Sequence, residues 1–551
     1  MASTGELTAV PPGAPPAPVP AQEPATRAPV ALRVVCAVVG LLFAAPLGYL
    51  AWRTLTGDES LGELYTSDAT LVPLRNTLVL ATATAASTAV VGTALAWLTT
   101  RTDLPLRRLW AVLAALPLVF PSFVGALALL AAVAPGGLLD GPLGWVGVTP
   151  SRPEGFAGAW MVLTLFTAPY VLLPVSARLM ALPPSLEESA RLLGRRPVAV
   201  FATVVWPQVR GAVGAGSLLV FLYALSDFGV VVLLRYDTLT RVIYTNRVLD
   251  RDRSVALSLL LAMLALAVVA GERTLARRRP AVEAAGARRP LQVPLGRWRW
   301  PALALVMGWV AVALGGPLAS LGLWAWRGLT GETSSLAAGD QGVGDLVEPA
   351  VNTVAIGLVT AVVAVAVLLP LAYLSARYRA RSGDVATGLV ATGFALPGLV
   401  IALAVVFWSV QLPEAWGLYQ SFVMLVFAYV VHLGVQSLRA AQVAVGSVPR
   451  RLDESARMLG AGRARRFVTV DLPLMLPGLA AGGGLVLLST MKELPITLLT
   501  APIGFETLAT RIWADAEAVF LAEAALASIV LVALSGVLTW LVVVRRSDRL
   551  A

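Results

Sequence analysis

The chain contains very little cysteine and histidine. Cys36 is the only cysteine among 551 residues, and His432 is the only histidine. One cysteine excludes an intramolecular disulfide, and one histidine excludes a metal site built from two or three imidazoles. We therefore predict no resident metal site, and we expect His432 to be a buried or interfacial imidazole.

Charge is also scarce. Charged residues make up 13% of the chain, hydrophobic residues 58%, and the mean hydropathy is +0.79, whereas soluble domains carry about 25% charged residues. About 12 apolar stretches, each long enough to cross a hydrocarbon layer of roughly 30 Å as a helix, recur along the chain. We predict an all-α polytopic membrane protein whose first span is not a cleaved signal peptide. The predicted spans are 32–52, 76–99, 108–134, 157–181, 210–234, 254–272, 300–325, 351–375, 386–410, 420–441, 475–500 and 520–544.

The arginines predict the orientation of the chain. The net charge of +10 comes from arginines that cluster in alternate short loops and not along one stripe, so we expect no nucleic-acid partner. Residues 273–299 contain eight arginines, whereas residues 327–348 contain one arginine against four acidic residues. The first segment is therefore predicted to be cytoplasmic, and with an even number of spans so are both termini.

The sequence repeats itself. Asn76-Thr77 recurs in the second half as Asn352-Thr353, and later landmarks recur at a slightly shorter but constant offset. Such self-similarity indicates an internal duplication. The predicted organisation is a disordered Pro/Ala-rich cytoplasmic tail (1–30), a first half (31–274), a cytoplasmic linker (275–298) and a second half (299–551).

One motif occurs in a cytoplasmic loop of each half. Residues 186–194 read LEESARLLG and residues 452–460 read LDESARMLG, and Pro207 and Pro473 follow the two glycines at the same spacing. Two carboxylates at a helix start, a glycine break and a second short helix that ends at a proline predict a rigid helix-turn-helix. The arginines around both copies offer charged contacts to a soluble partner.

This pattern resembles the EAA loop of bacterial ATP-binding-cassette importer permeases. Serine replaces the first alanine of the motif in both copies, and Trp206 replaces the usual leucine before the proline. The resemblance implies two tandem repeats of the type I importer (MetI-like) permease fold, with EAA loops at 185–207 and 451–473 that dock onto ATPase subunits. The docking residues that it implies are Glu187, Glu188, Ala190, Gly194, Pro207, Asp453, Glu454, Ala456, Gly460 and Pro473.

The same resemblance implies the partners and the location. We expect two copies of an ATPase subunit, an extracytoplasmic substrate-binding protein, and a bacterial cytoplasmic membrane whose lipid surrounds the spans. A phosphate-binding loop needs Gly-Lys followed by Ser or Thr, but the only lysine, Lys492, follows Met491. ATP and Mg²⁺ are therefore expected on the partner subunits, and we predict no catalytic residue and no cofactor in this chain.

Two further strings concern the cargo. Residues 226–229 read SDFG and residues 492–495 read KELP, which resembles the fused two-half ferric iron permeases over nearly all of the chain after residue 30. Independently, Asp227 and Glu493 are related by the same offset as the two motif copies. Carboxylates within spans should face either the protein interior or a water-filled path, and pseudo-twofold symmetry would bring both towards one central pathway. Oxygen ligands suit Fe³⁺. The candidate pathway residues are Ser226, Asp227, Lys492 and Glu493, and Lys492 either neutralises Glu493 or contacts substrate.

The outside loop 235–253 carries five arginines against three aspartates, contrary to the usual charge distribution. Either Arg241 and Arg247 contact the binding protein, or these arginines pair locally with the aspartates.

Other functions stay open at this point. Thiamine, polyamine, phosphonate, sulfate or molybdate are alternative cargoes for the same machinery. A secondary transporter of two parallel halves would share the duplication but does not need two matched cytoplasmic motifs. An intramembrane enzyme is disfavoured because the sequence lacks Gly-x-Ser-x-Gly and His-Glu-x-x-His patterns.

Overall fold

The computed structural model describes residues 28–57, 60–145, 152–276, 291–331, 343–378 and 380–541. Within these ranges the chain is helical without any β-strand, apart from one isolated parallel bridge between Thr102 and Val293. The predicted tail up to residue 27 and the predicted linker from 277 to 290 lie outside the described residues.

Helices of the first half range from short connecting turns to long spans. They are α1 (Val30–Thr56), α2 (Leu61–Thr66), α3 (Asp68–Arg101), α4 (Arg107–Ala115), α5 (Ser122–Val133), α6 (Asp140–Trp145), α7 (Phe156–Thr167), α8 (Pro169–Met180), α9 (Pro184–Leu192), α10 (Pro197–Val200), α11 (Trp206–Ser226), α12 (Gly229–Leu233), α13 (Leu239–Asn246) and α14 (Arg251–Ala276).

The second half has a similar series of helices. They are α15 (Arg299–Val310), α16 (Gly316–Thr330), α17 (Val347–Ala376), α18 (Arg381–Ala395), α19 (Gly398–Ser409), α20 (Phe422–Ser447), α21 (Arg450–Met458), α22 (Arg463–Arg466), α23 (Leu472–Thr490), α24 (Pro495–Thr500), α25 (Leu508–Glu517) and α26 (Leu521–Thr539). One-turn π-helices, Phe201–Val205 and Phe467–Asp471, lead into α11 and α23 at equivalent places in the two halves.

Ten continuous helical runs in the described ranges are long and apolar enough to cross a membrane. Two bent pairs, α4 with α5 and α18 with α19, raise the number of possible spans to 12. The prediction of an all-α polytopic membrane protein with about 12 spans is thus confirmed.

The bent pairs differ from the continuous spans that the sequence predicted at 108–134 and 386–410. The two helices of each pair meet at 97° and 105°. Phe120 and Leu396, each directly before a proline, have extended backbones with ψ of 133° and 137°. A proline pushes the preceding residue out of the helical region and lacks the N–H that a continuing helix needs, so both helices break there.

The first span of each half packs against the bent pair of the other half. α1 packs on α18 and α19, and Tyr49 donates a hydrogen bond to the Phe407 carbonyl at 3.2 Å. Similarly, α15 and α16 pack on α4 and α5, where Ser320 donates to the Ala128 carbonyl at 2.9 Å. This exchange gives the halves a common core and places both helix breaks at the interface between them.

The two loops with the repeated motif lie on one side of the helix bundle. α9 meets the end of α3 at Arg101, and α21 meets the end of α17 at Arg377. The backbone N–H of Val293, shortly before α15, donates to the Arg101 carbonyl at 2.7 Å. The span formed by α15 and α16 therefore starts on this side, and it ends on the other side, where α17 begins. We call this side the motif side and the other the opposite side.

Candidate functional site

A cavity of about 820 Å³ lies between the two halves. Its walls come from α5, α11 and α12 of the first half and from α18, α20 and the break between α23 and α24 of the second. The structure brings all four predicted pathway residues to this cavity, namely Ser226, Asp227, Lys492 and Glu493.

The predicted spans 210–234 and 475–500 are interrupted at these residues. α11 ends at Ser226, and Asp227 has an extended backbone with ψ of 133° before α12 begins. α23 ends at Thr490, and α24 begins only at Pro495. Irregular backbone at membrane depth is tolerated where it is buried in protein or lines a water-filled cavity. Both breaks fulfil this condition because they lie in the cavity wall.

Asp227 is buried, and both of its carboxylate oxygens have partners. Oδ2 accepts a hydrogen bond from Ser122 Oγ at 2.6 Å, and Oδ1 accepts one from the Val230 N–H at 2.9 Å. The first contact ties α11 to the start of α5, and the second caps α12. Asp227 therefore holds the broken helices of the first half in place, with its carboxylate at the cavity wall.

Glu493 differs from Asp227 in its surroundings. Its Oε2 lies 3.8 Å from His432 Nε2, whereas its Oε1 is buried without a hydrogen-bond partner among the described residues. Gly398 leaves room for this oxygen, because a Cβ at that position would lie 2.6 Å from Oε1. Glu493 thus lines the cavity and keeps one buried carboxylate oxygen that no described donor uses.

Lys492 does not neutralise Glu493 in this structure. Its Nζ donates to the Leu118 carbonyl at 3.2 Å, and within the described ranges no ion pair joins it to its neighbour. Because Leu118 precedes the break between α4 and α5, Lys492 connects the second half to the first across the cavity.

Several polar residues of the cavity wall are not among the predicted pathway residues. His432, Gln436 and Arg439 all lie on α20 with spacings of three and four residues, which is one helix face, and Ser122 starts α5. The internal repeat could have pointed to Ser122. Its counterpart in the second half, at the offset that relates the two Asn-Thr pairs, is Gly398, which also lines the cavity.

Among the described residues, no group of three or more His, Cys, Asp or Glu side chains is arranged to hold a metal ion. The cavity instead combines two carboxylates with one imidazole and two basic side chains, Lys492 and Arg439.

Both motif copies form a short helix that ends at its glycine. Gly194 and Gly460 have φ of +75° and +79°, the left-handed region that glycine adopts without strain. Each glycine N–H donates back to the helix, to the Arg191 carbonyl at 2.9 Å and to the Arg457 carbonyl at 3.0 Å. This is the arrangement expected for a helix that glycine terminates.

The predicted docking residues divide into inward and outward sets. Glu187 and Ala190 are buried in the first loop, whereas Glu188 and Glu454 are exposed, as are Gly194, Gly460, Pro207 and Pro473. In the second loop Asp453 and Ala456 are half-buried. Apolar side chains stand beside the exposed glutamates: Leu192, Leu193, Met458 and Leu459 are each at least 80% exposed. Two matched surfaces of this kind are suited to bind a partner.

Ion pairs hold the acidic residues of the inward set. Glu187 pairs with Arg101 at the end of α3, and the two side chains are 2% and 0% exposed. Asp453, its counterpart, lies 3.6 Å from Arg377 and 2.9 Å from Arg466. Each loop that carries the repeated motif is thereby fixed to a long span.

The arginines of the loop 235–253 have local partners. Arg241 forms an ion pair with Asp237, and the Arg247 guanidinium lies 3.7 Å from the centre of the Tyr244 ring. Arg241 and Arg247 therefore each have a partner within the chain. A role of Arg241 and Arg247 in contacting a binding protein stays a prediction.

Comparison with known proteins gives a consistent result. Residues 368–549 match the family model of the binding-protein-dependent transport system inner membrane component. The chain is 29% identical over 519 residues to the Fe(3+)-transport system permease protein FbpB 2 of Haemophilus influenzae, which covers 93% of this chain and 97% of that protein.

Shorter relatives match a part of the chain. The molybdenum transport system permease protein ModB of Azotobacter vinelandii is 32% identical over 168 residues, 30% of this chain and 74% of that protein. The putative 2-aminoethylphosphonate transport system permease protein PhnU of Salmonella choleraesuis is 26% identical over 245 residues, 42% of this chain and 85% of that protein. This multi-pass membrane protein therefore belongs to the binding-protein-dependent transport system inner membrane components, the permeases of ATP-binding-cassette importers.

Proposed function

We propose that this chain forms the translocation pathway of an importer for ferric iron, which ATP hydrolysis on two partner subunits drives. The observation that carries the proposal is the cavity between the halves, where equivalent helix breaks present Asp227 and Glu493. Carboxylate oxygens suit a hard cation such as Fe³⁺. The relative that matches this chain over nearly its whole length is named for Fe(3+) transport.

The docking loops supply the coupling in this proposal. One ATPase subunit would bind at α9 and a second at α21, so that the motif side is cytoplasmic and both termini lie there. ATP binding would draw the two subunits together and move both loops, and the cavity would open to an extracytoplasmic binding protein. Hydrolysis would return the chain to the state open to the cytoplasm. The exposed glutamates and apolar side chains of both loops support this assignment.

A specific observation also favours a second cargo. Lys492 and Arg439 line the same cavity, and an oxyanion would need such basic groups. The molybdenum permease among the relatives is named for a metal that dissolves as an oxyanion. Lys492, however, is already bound to the Leu118 carbonyl, whereas Glu493 Oε1 has no described partner. Iron is therefore the cargo that the cavity supports better.

Competition between the two cargoes tests the choice. Cells that express this chain with its ATPase and binding protein would be given radiolabelled Fe³⁺ with excess unlabelled molybdate, and radiolabelled molybdate with excess Fe³⁺. Iron uptake that molybdate does not reduce supports the proposal. If the cells take up molybdate but no iron, and excess iron does not reduce the molybdate uptake, the cargo is an oxyanion and not iron.

A further inference from the structure

The long helices α3 and α17 have equivalent contacts at both ends. On the motif side, Arg101 pairs with Glu187 and also donates to the Leu179 carbonyl at 3.5 Å. Arg377, which directly follows α17, pairs with Asp453 in the same way. An arginine at the end of a long span thus holds each docking loop.

At the opposite side, the repeated Asn-Thr pair holds the start of a short helix. Asn76 Nδ2 donates to the Asp237 carbonyl at 2.9 Å, and Thr77 Oγ1 accepts from the backbone N–H of Leu239, the first residue of α13, at 2.9 Å. The side chain of Thr77 is buried, so this hydrogen bond is protected from water.

The second half repeats both hydrogen bonds. Asn352 Nδ2 donates to the Glu506 carbonyl at 3.0 Å, and Thr353 Oγ1 accepts from the N–H of Leu508, the first residue of α25, at 2.9 Å. The asparagine and the arginine have the same spacing in each half, from 76 to 101 and from 352 to 377. At a rise of about 1.5 Å per residue this spacing is about 38 Å of helix.

α13 and α25 both contact Phe228, a residue of the cavity wall. Phe228 lines the cavity, and its ring lies 4.8 Å from the Tyr244 ring of α13 and 5.1 Å from the Trp513 ring of α25. Thr240 of α13 also donates to the Asp227 carbonyl at 2.8 Å. Trp513 is almost completely buried. Phe228 thus lies in the cavity wall with Tyr244 and Trp513 packed against it, and separation of α13 from α25 would open the cavity on the opposite side.

We propose that α3 and α17 carry the movement of the docking loops to α13 and α25, and that Thr77 and Thr353 are the positioning residues that couple this movement to opening of the cavity. The proposal rests on the proposed function, because it takes α9 and α21 as the ATPase contacts. Both helices run unbroken between these contacts, and Pro370 lies within α17 near its end on the motif side. The ends of an unbroken helix move together when both are fixed to their neighbours. Both ends of each helix are fixed in this way, by an ion pair between an arginine and a carboxylate on the motif side and by two hydrogen bonds on the opposite side.

The chain provides a matched control for these two threonines. Thr84 and Thr360 lie on the same two helices, are related by the same offset as Thr77 and Thr353, and are fully buried. Their hydroxyls have no hydrogen-bond partner among the described residues. Replacement of these residues by valine removes a hydroxyl as at Thr77 and Thr353, but among the described residues it removes no hydrogen bond to α13 or α25.

Distances between spin labels test the proposal on the full chain in nanodiscs with its ATPase subunits. Labels would be placed at Thr245→Cys on α13 and Ala514→Cys on α25, both exposed, in a Cys36→Ser background. Trapping with ATP and vanadate should lengthen the distance in the parent chain and in Thr84→Val/Thr360→Val. In Thr77→Val/Thr353→Val the distance should stay at its resting value although ATP turnover before trapping is retained.

Retained ATP turnover shows that this variant is folded and docked, which a merely misfolded chain would not be. As a second readout, Arg101→Lys/Arg377→Lys keeps a cation at both docking loops and should open, whereas Arg101→Gln/Arg377→Gln should not. Opening of Thr77→Val/Thr353→Val to the parental distance would overturn the inference. A parent chain that binds no ATPase subunit would overturn the proposed function as well, and the two failures are therefore distinguishable.

Discussion

Arg101 and Glu187 form an ion pair that fixes the end of α3 to the first docking loop, with almost no exposure of either side chain. The equivalent pair, Arg377 with Asp453, is 19% and 29% exposed, and its carboxylate has Arg466 as a second partner. The same contact therefore exists in two environments, one dry and one partly wet. We therefore expect that breaking the two ion pairs lowers the free energy of unfolding by different amounts.

Arg101→Ala is expected to lower the free energy of unfolding by about 3–5 kcal/mol, because Glu187 would stay buried without its partner. Arg377→Ala, the matched control, should cost only about 1 kcal/mol, since Arg466 and water remain available to Asp453. Unfolding of the purified chain in detergent by increasing sodium dodecyl sulfate measures both. Equal losses in the two variants would contradict the assignment of Arg101–Glu187 as the drier pair.

The glycines of the docking loops yield a second prediction. A side chain at a left-handed position costs about 1–2 kcal/mol, so Gly194→Ala with Gly460→Ala should distort both loops without affecting insertion of the spans. Uptake per ATP hydrolysed should fall roughly tenfold, since about 1.4 kcal/mol is a factor of ten. The double proline variant should have a larger effect, because the proline ring fixes φ in the negative region and excludes the left-handed one.

Gly446→Ala is the control for these variants. Gly446 lies on α20 near the second loop, and a Cβ there would have no atom of the described residues within 4 Å. It should transport like the parent chain. Parental coupling of uptake to ATP turnover in the double alanine and double proline variants would refute the assignment of α9 and α21 as docking helices.

Much of this architecture can be predicted from the sequence, and there are physical reasons why the remaining features cannot. Hydropathy and the repeat predict the spans and both motif helices because apolar runs and fixed offsets are local features. The break at Asp227 escapes hydropathy because Val230–Val232 beyond it are as apolar as α11 before it. The Arg101–Glu187 pair joins residues far apart in sequence, and no local pattern specifies such a contact.

The two cavity carboxylates should respond differently to neutralisation. Glu493→Gln is expected to reduce uptake of radiolabelled Fe³⁺ roughly tenfold with little loss of stability, because one charged contact contributes about 1.5–3 kcal/mol. Asp227→Ala should instead destabilise the chain by about 1–3 kcal/mol, because the Ser122 hydroxyl and the Val230 N–H would lose their acceptor. Uptake assays and unfolding in detergent measure the two effects.

An independent variant tests the position of Glu493. Gly398→Ala would place a Cβ 2.6 Å from Oε1 and displace the carboxylate, so iron uptake should fall as it does in Glu493→Gln. Gly388→Ala on α18 serves as control, because the part of the chain that the structure describes places no atom within 4 Å of the added Cβ. Unchanged uptake in Gly398→Ala and Glu493→Gln would show that this carboxylate does not contact the cargo.

The arginines on the opposite side test contact with a binding protein. Arg241→Glu with Arg247→Glu should abolish the stimulation of ATP turnover by loaded binding protein if an acidic partner docks there, because like charges repel. Turnover without binding protein should be unchanged. Arg297→Glu, exposed on the motif side, is the control and should keep full stimulation. Parental stimulation of the double variant would leave these arginines with only their contacts to Asp237 and Tyr244.

The most direct test of the central claim is transport by the purified complex in proteoliposomes. The chain would be reconstituted with its ATPase subunits, ATP supplied on the motif side, and binding protein loaded with radiolabelled Fe³⁺ on the opposite side, with a protonophore present. We predict iron accumulation that requires ATP, survives the protonophore and stops with vanadate. Accumulation that the protonophore abolishes, or that proceeds without ATP, would contradict the account and indicate a transporter driven by an ion gradient.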